Sequence, residues 1–201
     1  MHINKKWQKV ILSNFDRASG EYNKRANIQR FFALQLAKEC SKRPIPDGVW
    51  ADLGAGTGLL ADALGRHHPK KNIIRVDGSS GMLSQQKEGT ESMLWDLNRG
   101  LPAWSIPPKL LASSFALHWL YQPNERLKEW IKALDHSGWI ALAVPIQRSF
   151  LEWKLAAKNA NVAFTGLGLP SEQSIVNALG SMEIHYQKIF EYTQKEKEVF
   201  S

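Results

Sequence analysis

Cysteine is nearly absent. Cys40 stands alone among 201 residues, which excludes an intramolecular disulfide and suits a reducing, cytoplasmic setting. No apolar run approaches the ~20 residues a membrane-spanning helix requires. Met1 to Trp7 carry basic residues with no apolar core and small-residue cleavage site behind them, so no secretory leader is expected. Internal repeats and low-complexity segments are also missing. Negative charge is in deficit: 26 Lys and Arg against 19 Asp and Glu leave a net +7 and a pI near 9.5. That excess suits an acidic partner, whether nucleic acid, an acidic carrier protein or an anionic substrate, and equally a solvated basic surface. Hydrophobic residues at 43% and charged residues at 22% are ordinary for a globular chain, and the length suffices for one α/β domain with a sizeable core.

What is present is organised around Val49-Trp50-Ala51-Asp52-Leu53-Gly54-Ala55-Gly56-Thr57-Gly58. An apolar run ends beside an acidic residue, three glycines alternate with small residues, and a helical pattern opens at Leu59. This predicts a strand, a tight turn and a helix. Glycine tolerates positive φ and lets a ligand touch the backbone, and free N–H groups at a helix start attract electron-rich ligand atoms. The stretch therefore reads as a nucleotide-sized loop at the carboxyl end of a parallel strand, or more plainly as a glycine-rich βα turn. It lacks the G-x-G-x-x-G dinucleotide spacing and the Lys of a phosphate-cradling P-loop.

The remaining chain predicts strands alternating with helices. Lys5 to Phe15 carry a helical apolar stripe, Phe15 to Tyr22 read as a loop or short helix, and Ala26 to Glu39 as a second helix. Lys42 to Gly48 is a breaker cluster. Asn72 to Asp77 is a second strand, placing Asp77 about 20 positions past the glycine loop, where a carboxylate accepts from ribose hydroxyls or heads the next helix. Ser92 to Leu97 is a third strand ending at Asp96, which suits either an adenine amine or the cap of the following turn. Lys109 to Phe115 is a fourth strand. Ser137 to Val144 includes an apolar fifth, of the kind covered on both faces. Helices are expected at Leu59 to Gly65, Glu125 to Leu134, Arg148 to Ala160 and Pro170 to Leu179. A sixth strand is expected from Met182 to Tyr192, and a charged helical tail from Gln194 to Ser201. The expected division is a helical cap at 1–45 over a core at 46–201, within one structural domain.

The D-x-G-x-G-x-G spelling at Asp52 to Gly58 resembles motif I of the class I S-adenosylmethionine (SAM) methyltransferases. Further segments resemble the malonyl-acyl-carrier-protein O-methyltransferases of biotin synthesis. These are Phe15-x-Arg17-Ala18-x-x-x-Tyr22 with Ile28-Gln29, Asp77-x-Ser79-x-x-Met82-Leu83, Asp96-(x)4-Leu101-Pro102, and Ser113-Ser114-Phe115-Ala116-Leu117-His118-Trp119. Ser149 to Glu152 and Leu169 to Ser171 also fall where that family has related residues. The resemblance implies a Rossmann-like α/β fold with a mostly parallel sheet and helices on both faces. It also implies SAM as cofactor and a malonyl-bearing acidic acyl carrier protein as partner. Two departures stand out: Ser114 and His118 replace the family's usual Asn and Gln. The sequence also stops short of the family's last, antiparallel strand, so the sheet is expected to lack it.

The cofactor-binding residues so implied are Arg17, Tyr22, Asp52, Gly54, Ala55, Gly56, Gly58, Asp77, Gly78, Met82, Asp96, Leu97, Ser113 and Ser114. Tyr22, His118 and Arg148 are the catalytic candidates, and no metal is implied. A malonyl carboxylate is already ionised at neutral pH, so its methylation needs positioning and removal of water rather than a base. Arg148, Arg17 and His118 are candidate cations to read it, Arg through its bidentate fork. Tyr22 suits closure over the methionine part of SAM, and His118 as a base suits a hydroxyl acceptor better than a carboxylate. Lys5, Lys6, Lys9, Arg25, Lys154 and Lys158 are candidates to steer the carrier protein. The alternatives are a SAM methyltransferase for another small molecule, and a SAM-binding protein impaired in catalysis. RNA is disfavoured, because no Asn/Asp-Pro-Pro-Tyr/Phe motif follows the fourth strand and no separate basic domain precedes the fold.

Overall fold

The computed structural model describes residues 5–164 and 166–191, with side chains from Gln8 onward. Lys5–Arg25 (α1) is one 21-residue helix, where the sequence predicts a helix followed by a loop or short helix. No proline interrupts it, Gly20 faces open space, and a single glycine costs a helix only about 1 kcal/mol. Asn27–Cys40 (α2) follows and buries Ala33, Ala37 and Cys40, one stripe at helical spacing.

The core alternates strand and helix: Trp50–Leu53 (β1), Leu59–His67 (α3), Ile73–Asp77 (β2), the one-turn Ser80–Leu83 (α4), Ser92–Leu94 (β3), Leu110–Ser114 (β4), Pro123–Ala133 (α5) and Trp139–Ala143 (β5). Single 3₁₀ turns at Leu97–Arg99 and Leu117–Trp119 flank β4. The strands are all parallel, in the order β3-β2-β1-β4-β5. The chain builds outward from β1 to β3, then crosses back to lay β4 on the other side of β1. A crevice opens at such a reversal, beyond the carboxyl ends of the strands.

Side chains alternate across the sheet. Trp50, Leu110 and Ala112 pack with Ala37 of α2 and Leu60 and Leu64 of α3 on one face. Ala51, Leu53, Val76 and Leu111 pack with Leu127 and Trp130 of α5 on the other, joined by Ala178 of Glu172–Leu179 (α7). At about 25 cal/mol per Å², these two layers are the main favourable term holding the sheet.

Besides α1, three segments differ from expectation. β3 stops at Leu94, so Asp96 lies beyond the strand. β5 is only half buried along its length, because it is an edge strand among the described residues and Leu151–Asn159 (α6) buries none of its residues. No strand forms over residues 182–191. Ile184 and Tyr186 carry the alternating pattern there, but they remain exposed, and alternation yields a strand only where a neighbour supplies the ladder. Tyr192 and the expected helix at Gln194 to Ser201 lie outside the described residues.

Candidate active site

The glycine loop leaves β1 at the crevice. Gly54 has φ +72°, and a Cβ there would stand 2.2 Å from that of Ala116, so both conformation and space demand glycine. Gly58, at φ +88°, is the residue before α3, and its missing Cβ makes room for the Arg75 guanidinium, 2.3 Å from where it would lie. Arg75 is buried and pairs with Asp62 of α3 through Nη2–Oδ1 at 2.6 Å. Gly56 is pegged from both sides. Its N–H donates to Asp77 Oδ2 at 2.7 Å, and its carbonyl accepts from Gln86 Nε2 at 2.7 Å.

Asp77 takes a second N–H, from Ser79, on Oδ1 at 2.8 Å. Burial nevertheless outweighs these bonds and raises its pKa. Asp52 is more constrained. Its Oδ2 accepts from Ala61 N at 3.0 Å, its Oδ1 is buried with no partner among the described residues, and burial pushes its pKa up to about 7.

α1 roofs the crevice and is tied down at two points. Asp16 Oδ1 accepts from Ser79 Oγ at 2.6 Å and from Gly81 N at 2.9 Å. Thr57 Oγ1 of the glycine loop donates to Asn23 Oδ1 at 2.7 Å. Beside the first of these ties Phe15 sets its ring edge-on to Tyr22 (6.4 Å between centroids) and to Trp119 (5.5 Å). Burial first, and the Asp77 charge second, hold the Tyr22 phenol up at about 12, so it stays protonated.

Of the residues named from sequence, Tyr22, Asp52, Gly54, Ala55, Gly56, Asp77, Gly78, Met82, Asp96, Leu97 and Ser114 line this cleft. Asp96 Oδ1 accepts from the backbone and side-chain N–H of Asn98, both at 2.9 Å, and so caps the 3₁₀ turn. Met82 and Leu97 are buried against the cleft, and the Ser114 hydroxyl is buried without a partner among the described residues. Five residues, His118 among them, lie elsewhere. Arg17 is exposed and donates to Asn14 one turn back along α1. Gly58 is behind the loop. Ser113 Oγ donates to the Leu53 carbonyl at 2.8 Å and ties β4 to β1. Arg148 is exposed on a second, larger groove that β5 and α6 border.

That groove also includes His118 and shares Ile11, Phe15, Tyr22, Gln29, Phe115 and Trp119 with the cleft. Burial drives the His118 pKa down to about 3, so it is neutral. Among the described residues no cluster of three or more His, Cys, Asp or Glu is placed to hold a metal ion, and no helix is long and apolar enough to cross a membrane.

Sequence reasoning missed Asp16, Asn23, Arg75 and Gln86. Asp16 and Asn23 are polar positions on a helix and carry no signal until that helix is docked. Arg75 was readable as an oddity, a charge inside an otherwise apolar strand.

Residues 51–142 match the methyltransferase domain family. A malonyl-[acyl-carrier protein] O-methyltransferase from Neorickettsia risticii is 31% identical over 166 residues, 81% of this chain and 62% of that protein. A trans-aconitate 2-methyltransferase from Mycobacterium ulcerans is 34% identical over 97 residues, 47% of this chain and 35% of that protein. The chain thus spans less than two thirds of the length of either relative. Among solved structures, a SAM-dependent methyltransferase from Thermotoga maritima, described as a possible histamine N-methyltransferase, superposes with a TM-score of 0.60 at 21% identity, covering 82% of this chain and 76% of that one. Residues 51–142 therefore form a methyltransferase domain, carried on the fold of the class I SAM-dependent methyltransferases.

Proposed function

We propose that this chain binds SAM in the glycine-loop cleft and methylates a carboxylate oxygen, the acceptor being the malonyl group of an acidic acyl carrier protein in cytoplasmic biotin synthesis. The observation that carries the cofactor reading is Asp52, a buried cleft carboxylate with one oxygen unpaired. An uncompensated polar atom there costs about 1–3 kcal/mol, and a ligand bearing an ammonium and a sulfonium removes that cost. Asp77 retains lone pairs beyond its two N–H bonds and suits a ribose diol. Asp96 suits an adenine amine, with Met82 and Leu97 as apolar walls.

When bound, SAM supplies an electrophilic methyl group on a sulfonium. The chain's own part is to position and desolvate. Tyr22, held protonated, is a hydrogen-bond donor and not a base, and His118, whose pKa burial drives down to about 3, has little affinity for a proton and is a weak one. A site so furnished suits an acceptor that arrives ionised, and a carboxylate does. Arg148 at the groove is the proposed cation that selects it.

The name of the Neorickettsia relative, which matches across four fifths of this chain, favours the malonyl carrier. The trans-aconitate relative matches about half of the chain and supports a small free polycarboxylate as the second reading. The test is calorimetric titration with S-adenosylhomocysteine (SAH) on wild type and Asp77→Ala, followed by methyl transfer to malonyl-loaded carrier protein and to trans-aconitate. We expect binding that the substitution weakens tenfold or more, about 1.4 kcal/mol, and turnover of the carrier. A folded wild type that ignores SAH would overturn the reading. Binding without turnover of either acceptor would leave a SAM-binding protein impaired in catalysis.

A further inference from the structure

We infer that His118 is a second residue that reads the methyl acceptor, its Nε2–H donating to the carboxylate oxygen that does not take the methyl. The inference rests on the function proposed above and deepens it. His118 sits on the 3₁₀ turn directly after β4. Its neighbours Phe115, Ala116, Trp119 and Leu120 line the cofactor cleft, whereas His118 itself lines the adjoining groove. It therefore stands where the two spaces meet, which is where an acceptor must approach the methyl group.

The residue is only 6% exposed, and its ring is held between aromatic rings, 6.2 Å from Phe115 and 5.0 Å from Trp119 between centroids. Its Nδ1 is buried with no partner among the described residues. A buried N–H left unpaired is rarer than an unpaired lone pair, so the proton belongs on Nε2, the nitrogen left to face the groove. Ser114 Oγ, four residues earlier at the strand exit, is buried and unpaired as well.

Burial also keeps the imidazole neutral, with its pKa down to about 3. A neutral donor discriminates by chemistry. It bonds to a carboxylate without needing to remove a proton, and it offers little help to an alcohol that must lose one. The acceptor class is therefore a carboxylate with a free second oxygen. In the transfer one carboxylate oxygen forms the new bond to the methyl carbon as the carbon–sulfur bond breaks, and no proton changes hands.

The experiment compares wild type, H118Q and H118F. Gln keeps an N–H donor and cannot act as a base, whereas Phe keeps ring area and loses the donor. SAH affinity is measured for each, then KM and kcat with malonyl-loaded carrier protein and with trans-aconitate. We expect SAH affinity within twofold of wild type in both variants. For the acceptor that turns over, H118F should raise KM tenfold or more, and H118Q should stay within about threefold in both constants. Should H118F fail to fold, H118L serves in its place. A hundredfold loss of kcat in folded H118Q would indicate a base and overturn the inference, and so would an unchanged acceptor KM in the variant without a donor. Either result with SAH binding intact leaves the proposed function standing, whereas a folded wild type that binds no SAH removes that function and this inference with it.

Discussion

Asp52 couples the glycine-loop cleft to pH. In an unfolded chain an Asp ionises near 3.9, whereas burial lifts Asp52 to about 7. Between those values the folded state holds a proton that the unfolded state has released, so Asp52 costs stability as pH rises from about 4 to about 7. Asp52→Asn removes that cost. Urea denaturation should show the variant gaining on wild type across this window, on the order of 1 kcal/mol per pH unit. SAH carries an ammonium that favours the ionised carboxylate. Wild-type affinity for SAH should therefore climb between pH 5 and pH 8, and the variant should bind more weakly with a shallower slope. At Gly54 the constraint is steric. Ala there would meet the Ala116 Cβ and hold a positive φ, so Gly54→Ala should lose about 2–4 kcal/mol in denaturant titration. Adding Ala116→Gly should return part of it; a neutral single variant would contradict this geometry. Asp52 and Gly54 were legible in the sequence because motif spacing places them. The unpaired oxygen of Asp52 was not, since it depends on what α3 and the loop leave uncovered.

Among the elements, α1 shows most clearly what docking adds. Its apolar stripe was visible, but its continuity through Tyr22 and its two polar ties were not. Asp16 holds the start of α4 and Asn23 holds the glycine loop, so α1 covers the cleft by hydrogen bonds to the loops that form it. Hydrogen exchange should read this directly. Asp16→Ala combined with Asn23→Ala should speed exchange across α1 while β1 and β4 keep their protection, and SAH affinity should fall several-fold. Unchanged exchange in α1 would mean that Ile11 and Phe15 alone hold the helix. β5 and residues 182–191 make the complementary point. Both have strand-like sequences, yet β5 found a ladder partner in β4 and 182–191 form no ladder among the described residues, so only β5 is a strand.

At the scale of the whole molecule the governing quantity is the net charge of +7. Its value for function depends on the partner. An acidic carrier protein approaching a basic surface is steered by charge and screened by salt over a Debye length of about 10 Å at 0.1 M. Raising NaCl from 50 to 500 mM should therefore raise KM for the malonyl carrier protein several-fold. Under the same change KM for a malonyl thioester of N-acetylcysteamine, which lacks the acidic surface, should move less than twofold. Equal salt dependence for both would assign the charge to solvation alone.

The sequence by itself determined the alternation of strand and helix, the parallel sheet, the glycine loop and the acidic residues at the ends of β1 and β2. Each of these is set by local periodicity, by the φ values only glycine takes freely, or by a spacing that a βα unit makes rigid. Tertiary structure alone decided that Arg17 faces solvent while Asp16 faces the site, that Arg75 fills the space behind Gly58, that β5 lies at the edge, and that His118 is buried with an unpaired nitrogen. Those outcomes depend on which surfaces meet. Burial, desolvation and the pairing of polar atoms are properties of that meeting, and residues far apart in the chain share them.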